Sequence, residues 1–560
     1  MKKLLMLCAT LFAISGCGGG GGTAGSCNGT AAVCSPSTTV TTPASTAIEP
    51  LANSSDVAHQ CAVPRPSDTI NPDTNLPYGD VQGTLSTEKA WIRAFVNETY
   101  LWYTEVPTVN PAPYVVGATV PYVNPSTNAQ GFIGLSSNYD VVDAYFNSQR
   151  TSATTASGKP KDQFHFTYPT TEWQALSTKG STVGFGFQLA MVSSTGPRKV
   201  VVAYTSPATP AAANNLGRGA EIVSVNGVSV ATGTDTTTLN EGLFAPVDGK
   251  QYTFVVLDLG AAAARTITMT ASNVTSVPVQ NARTLPAPNN GVGYIQFNDH
   301  IATAENQLIA AVNQLKAANG GAGISDLVLD LRYNGGGYLD VASELAYMIA
   351  GPTATTGKNF EQLVFNDKNP FGVTAAQAAV PFHNKTQGFS TTAGQALPHL
   401  DLPRVFVVTS SGTCSASEAI INGLRGAGIT VIQIGGTTCG KPYGFFPEDN
   451  CSTTYFTVQF KGVNNLGFGD YADGFIPGAG AGATNLPGCA VADDFTKQLG
   501  DPLEGRLAAA LMYRNSGVCP PASDASRTAA SRAGLSADPA LVRSPLRENR
   551  LLRQRGSLAP

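Results

Sequence analysis

Three times in the second half of the chain, an apolar run of strand length ends in a loop of small residues. Asp326 to Arg332 leads into Asn334-Gly335-Gly336-Gly337 and then a helical pattern from Tyr338 to Ile349. Arg404 to Ser410 leads into Ser411 to Cys414 and a helical pattern from Ser415 to Arg425. Ile429 to Ile434 leads into Gly435-Gly436-Thr437-Thr438-Cys439-Gly440-Lys441. Strand, helix and strand at these lengths call for parallel pairing, because the crossover is far longer than a hairpin needs. All three loops then leave the carboxyl edge of one sheet, where open α/β sheets place their sites. Val292 to Phe297 adds a strand, and Ala302 to Ala318 a helix with Ala304, Leu308, Ile309, Val312 and Leu315 inward.

That edge collects reactive groups. Ser415 begins a helix, where the backbone N–H of Ala416 has no partner within the helix and can serve an outside acceptor. As a helix cap Ser415 needs no companion, but the next strand delivers Lys441 to the same edge. An amine there accepts the hydroxyl proton only when neutral, which requires burial to lower its pKa from about 10.4. The glycine loop offers a second N–H, assigned to Gly336, so that it and Ala416 form a pair of donors for a tetrahedral oxyanion. Other chemistries fit less well. Lys441 is followed by Pro442, not by the Ser or Thr of a phosphate-binding loop, and Ser415-Ala416-Ser417 lacks the glycine of an esterase elbow. His300, just past the strand ending at Phe297, leaves a Ser-His hydrolase as an alternative. Cys414 reads as a disulfide cysteine and not as a nucleophile.

Upstream, residues 183–270 change to short β-rich runs: Gly184 to Met191, Lys199 to Ala203, Glu221 to Val225, Tyr252 to Leu257 and Arg265 to Met269. With the run from Gly219 to Gly227 between them, this order resembles a PDZ domain, and Gly184-Phe185-Gly186-Phe187 falls where such domains bind a peptide carboxylate on backbone N–H groups beside a strand edge. Together with Ser415-Ala416-Ser417-Glu418, Gly440-Lys441 and the Asn334 to Gly337 loop, the chain from about residue 85 to 515 resembles the C-terminal processing peptidase, or tail-specific protease, family. The resemblance implies a serine endopeptidase with Ser415 as nucleophile, Lys441 as general base, Ala416 and Gly336 as oxyanion donors, and substrates taken by their C-terminal tails. Many members carry Gln four residues after the Lys, where this chain has Phe445. That departure leaves the third member of the site open, with Glu418 or a Thr near 437 as candidates, and motivates the competing expectation of a non-catalytic PDZ-type binding lipoprotein.

Compartment follows from the other end. Lys2 and Lys3 precede an apolar run from Leu4 to Ile14 that closes on Ile14-Ser15-Gly16-Cys17, a secretory signal too short to span a membrane as a mature helix. Its end resembles a bacterial lipobox, making Cys17 the lipidated first residue of a periplasmic, outer-membrane lipoprotein. Of the ten cysteines, eight lie outside the signal and anchor, an even number in an oxidising compartment. Cys439 with Cys451 and Cys489 with Cys519 are short-range candidate pairs. The five His form no cluster and no Cys-x-x-Cys occurs, so neither a metal site nor a cofactor is expected. With Lys plus Arg at 34 against Asp plus Glu at 38, no nucleic-acid partner is expected.

The expected fold class is thus α/β multidomain. Its parts are a signal peptide at 1–16, a flexible tether at 17–80 and a mostly helical N-terminal domain at 81–180, with Trp91, Ile92, Phe95, Val96, Tyr100 and Tyr103 on one helix face. A PDZ-like β domain follows at 181–275, then a catalytic core with a parallel-containing sheet at 276–515, and a basic tail at 516–560 expected to be disordered. Protein or peptide substrates and the membrane, through the anchor, are the expected partners.

Overall fold

The computed structural model describes residues 51–521, apart from 73, 180, 195, 479 and 481, together with the backbone of 540–542 and 550–552. Among these residues no helix is long and apolar enough to cross a membrane. The lipobox and Cys17 lie outside them, as do Cys27 and Cys34.

Alternation along the strands builds the central layer. Ile295, Phe297, Leu327, Leu329, Val405, Val407 and Val431 point to one face, against the helices Ala304–Lys316, Leu339–Thr355 and Ala416–Gly426. Val292, Tyr294, Val328, Phe406, Val408, Ile432 and Ile434 point to the other, against Leu507, Ala510 and Leu511 of the helix Gly505–Ser516. Both faces are covered, which is why these runs are apolar throughout. The sheet has six strands in the order Val279–Thr284, Val292–Phe297, Asp326–Asp330, Arg404–Thr409, Thr430–Gly435, Gly488–Ala490. The first pair is antiparallel and the rest are parallel, as the crossover lengths require.

The β-rich segment forms a second sheet in the order Arg265–Thr270, Gln251–Leu257, Glu221–Val225, Lys199–Thr205, Phe187–Ser193, Ala540–Val542. It closes over its own core of Phe185, Leu189, Val200, Ile222, Tyr252, Phe254 and Ile267. Arg218 latches it to the central layer. The guanidinium donates to Asp493 at 2.7 Å, to the Tyr333 hydroxyl at 2.6 Å and to the carbonyls of Ala203, Asp494 and Lys497. Gly219 lets the backbones close up there: its φ is +83°, and a Cβ would stand 2.3 Å from the Phe495 carbonyl oxygen.

Two expectations about the N-terminal part change. Residues 51–80, assigned above to a tether, are pinned in place. Gln60–Cys61 pairs in parallel with Val81–Gln82, Cys61 is disulfide-bonded to Cys451, and Arg65 bridges Asp80 and Asp449, each at 2.7 Å. The segment 81–180 is helix and hairpin together, with helices Leu85–Thr99, Asn138–Ser148 and Thr170–Lys179 and a hairpin of Thr119–Val123 with Gln130–Gly134. Its aromatic core takes in Tyr443, Tyr455 and Val458 from beyond Lys441, and its strand Phe166–Pro169 pairs with Thr453–Phe456. The cysteine pairing also differs: Cys414 joins Cys439 and Cys61 joins Cys451, while Cys489 joins Cys519 as expected. Cys414 and Cys439 follow adjacent parallel strands and so meet at one edge, whereas Cys451 turns away in the hairpin Glu448–Asn450 with Thr453–Phe456.

Candidate active site

The carboxyl edge holds Ser415, the glycine loop and Lys441 together through backbone bonds. Cys414 N–H donates to the Asn334 carbonyl at 3.1 Å, the Ser417 hydroxyl donates to the same carbonyl at 3.1 Å, and Cys439 N–H donates to the Thr413 carbonyl at 3.0 Å. Ser415 sits at φ +59°, ψ −118°, where a side chain is strained. The surrounding loops hold it there. Its Oγ is buried and has no hydrogen-bond partner among the described residues. Burying a hydroxyl without a partner costs about 1–3 kcal/mol, so backbone strain and side-chain desolvation converge on one residue.

Glu418 binds the two loops. Wholly buried, its carboxylate accepts the Ser415 N–H at 3.0 Å, the Gly440 N–H and the Lys441 N–H at 2.8 Å each, and the Thr438 hydroxyl at 2.6 Å. Burial pushes its pKa above the ordinary carboxyl value, opposed by those hydrogen bonds. The disulfide Cys414–Cys439 runs alongside, from the residue before Ser415 to the loop of Lys441. Cys414, Glu418 and Cys439 have ligand atoms close together, but the two sulfurs are bonded to each other. The Lys441 side chain is 1% exposed, and its Nζ stands 4.6 Å from the Phe164 ring centroid and 4.4 Å from that of Phe445. Phe445, at the position where the family often has Gln, therefore offers the amine a ring face.

The glycine loop is held from beneath. Asn334 Nδ2 donates to the Phe297 carbonyl at 3.0 Å, and Asn334 Oδ1 accepts the Gly336 N–H at 3.0 Å. Oδ1 also lies 2.9 Å from His300 Nδ1, so Nδ1 carries the imidazole proton and Nε2 is the bare nitrogen. Burial pushes the His300 pKa down to about 3, keeping the ring neutral. Gly337, at φ +146°, lies so close that a Cβ would stand 2.3 Å from the His300 carbonyl oxygen. The Gly336 N–H, expected to face an oxyanion, is thus directed at Asn334 Oδ1. His300 lies under the loop and supports it.

Gly184 to Phe187 form the corner that enters the strand Phe187–Ser193, the last of the β domain's own strands before Ala540–Val542. Phe185 turns into the β core, 2% exposed, and the Gly186 carbonyl accepts the Ser206 N–H at 2.7 Å. Sequence reasoning named Asn334 only as the start of the glycine loop and missed Phe164 altogether. Nothing in the sequence links Phe164 to Lys441, because the chain between them forms the whole β domain and most of the central sheet. The linking role of Asn334 was open to inference, since a residue opening a turn at this edge faces the neighbouring loop.

Residues 291–445, which carry Asn334, Ser415, Lys441 and Phe445, match the model of peptidase family S41. A carboxyl-terminal-processing protease of Picosynechococcus sp. (strain ATCC 27264 / PCC 7002 / PR-6) is 27% identical over 273 residues, covering 48% of this chain and 56% of that protein. The chain thus spans little more than half the length of that relative. A solved structure assigned to the S41 proteases, from Bacteroides fragilis NCTC 9343, superposes with a TM-score of 0.54 at 20% identity, over 76% of this chain and 97% of that one, a likeness of fold.

Proposed function

We propose that the chain is a serine endopeptidase in which Lys441 takes the proton of Ser415. The observation that carries this reading is Glu418, whose single buried carboxylate fixes the backbone of both residues at one sheet edge. As Ser415 Oγ attacks a peptide carbonyl carbon, its proton passes to Lys441 Nζ and the carbonyl oxygen becomes an oxyanion facing the Ala416 N–H and a loop glycine. For Gly336 to be that glycine, its N–H must be shared with or released from Asn334. Collapse breaks the C–N bond, and the departing amine takes the proton from Lys441. Water then attacks the acyl carbon, gives its proton to Lys441, and Ser415 leaves protonated. The edge of the strand Phe187–Ser193 would receive an extended substrate by strand addition, the PDZ-like mode, and feed it to this edge. On this reading the leader makes the protein a lipoprotein of the periplasmic face of the outer membrane, anchored at Cys17.

The test is an unfolded protein substrate incubated with the chain and with its Ser415→Ala and Lys441→Ala variants. Cleavage by the parent and by neither variant is expected. Cleavage that survives either substitution contradicts the reading. Binding of peptides without cleavage by the parent favours the alternative of a binding lipoprotein. For the anchor, Cys17→Ser is expected to move the protein out of the membrane fraction, and an unchanged distribution contradicts lipidation.

A further inference from the structure

Two short strands of the chain's own C-terminal segment lie on the two edges that the proposed function assigns to substrate. Ala540–Val542 adds to the free edge of the β domain, antiparallel, with Ala540 opposite Met191, Leu541 opposite Ala190 and Val542 opposite Leu189. Its direction carries it toward the Gly184 to Phe187 corner, as a peptide's carboxyl end runs in strand addition. Arg550–Leu552 pairs in parallel with Gly336–Tyr338, with Arg550 opposite Gly336, Leu551 opposite Gly337 and Leu552 opposite Tyr338. It also lies against Tyr443–Gly444, just past Lys441. The second strand therefore crosses the site between the glycine loop and the lysine loop.

Both strands belong to one stretch of chain, seven residues apart. From Val542 to Arg550 a chain reaches at most about 26–29 Å when fully extended. The occupant of the β-domain edge is internal, since the chain continues past Val542 to Pro560. A strand edge takes such a segment without needing a terminal carboxylate, because the ladder is made by backbone groups alone.

We propose that this C-terminal segment is an intramolecular occupant of the substrate path, seated on the β-domain edge through 540–542 and across the active site through 550–552, and competing there with substrates. The competition rests on the peptidase reading; the seating does not. An occupant held in cis divides the intrinsic KM by the fraction of time the path is open, raising its apparent value, and leaves kcat unchanged.

The test uses the full chain with Leu541→Pro and Leu552→Pro together: the Gly336 and Tyr338 N–H groups are bonded within their own loop, which leaves Gly337 to pair with Arg550 and with the Leu552 N–H that proline removes. Hydrogen exchange, measured in a Ser415→Ala background so that the segment is not consumed, reads the seating directly. The Gly337 amide and those amides of 189–191 that face the segment are expected to exchange about tenfold faster once the prolines are present, at an unchanged thermal midpoint, whereas Gly336 and Tyr338, bonded to Asn334 Oδ1 and the His300 carbonyl, are not. Equal exchange in both proteins overturns the proposal. With Ser415 intact, the double proline variant is expected to lower KM for an unfolded protein by the same factor of about ten at constant kcat, independently of protein concentration. An unchanged KM, or a suppression that grows with protein concentration, overturns competition in cis. If protection is lost as expected but no protein is cleaved by any variant, the peptidase reading fails and the seating stands.

Discussion

At Ser415 the local cost of the site can be measured. A side chain at φ +59° with ψ −118° costs about 1–3 kcal/mol, which glycine avoids. Ser415→Gly is therefore expected to unfold at higher denaturant than Ser415→Ala, by about 1 kcal/mol after glycine's entropy is counted, with both inactive. Equal stabilities in a urea titration would place the strain elsewhere. Glu418 makes the complementary case. Glu418→Gln turns one of two accepting oxygens into a donor facing backbone N–H groups, and the expected loss is about 2–4 kcal/mol together with most of the turnover. A variant with parental stability and kcat would show that Glu418 does not hold Ser415 and Lys441 in place. Ser415 and Lys441 were legible in the sequence because each follows an apolar strand run that ends at the same edge. Asn334 Oδ1 and the Phe164 ring were not, since their partners come from other strands and from a segment on the far side of the β domain.

At the scale of elements, a buried carboxyl pair joins two helices of the central layer. Glu305 of Ala304–Lys316 accepts the N–H groups of Gln387, Gly388, Ser390 and Thr391, and Glu344 of Leu339–Thr355 shares Gln387 with it. Burial, with the Glu305 charge second, pushes the Glu344 carboxyl up from its ordinary 4.5 to about 9. A group protonated in the folded state and ionised in the unfolded one contributes stability that is whole below about 4.5 and is lost as pH rises toward 9. Stability is expected to fall across that window by up to about 1.4 kcal/mol per pH unit, and Glu344→Gln to flatten the slope. A parental slope in that variant contradicts the assignment. Element positions were largely readable: Val292–Phe297 and Glu221–Val225 match their apolar runs because burial fixes both ends. The pairing of Cys439 with Cys451 failed because nearness in sequence stood in for nearness in space, although the sheet-edge argument that placed Ser415 and Lys441 together also places Cys414 beside Cys439.

Across the whole molecule, Arg218 couples the β domain to the residue that precedes the glycine loop. Arg332 holds the same Asp493 from the core side at 2.6 Å and reaches Glu504 at 2.7 Å, so the junction is a buried network. Removing one partner of such a network costs about 3 kcal/mol. Arg218→Met is expected to lose about that much in chemical denaturation and to lower kcat/KM for protein substrates, and a variant unchanged in both would contradict the latch. The contacts that join the N-terminal segment to Tyr443 and Tyr455 could not be read from periodicity, which reports only which face of an element is apolar. The central claim is that Lys441 accepts the Ser415 proton, and the most direct measurement compares turnover of an unfolded protein by the parent and by Lys441→Arg at matched thermal stability. Guanidinium keeps the charge but cannot deprotonate in this range, so the account predicts loss of turnover. Substantial cleavage by Lys441→Arg would contradict it.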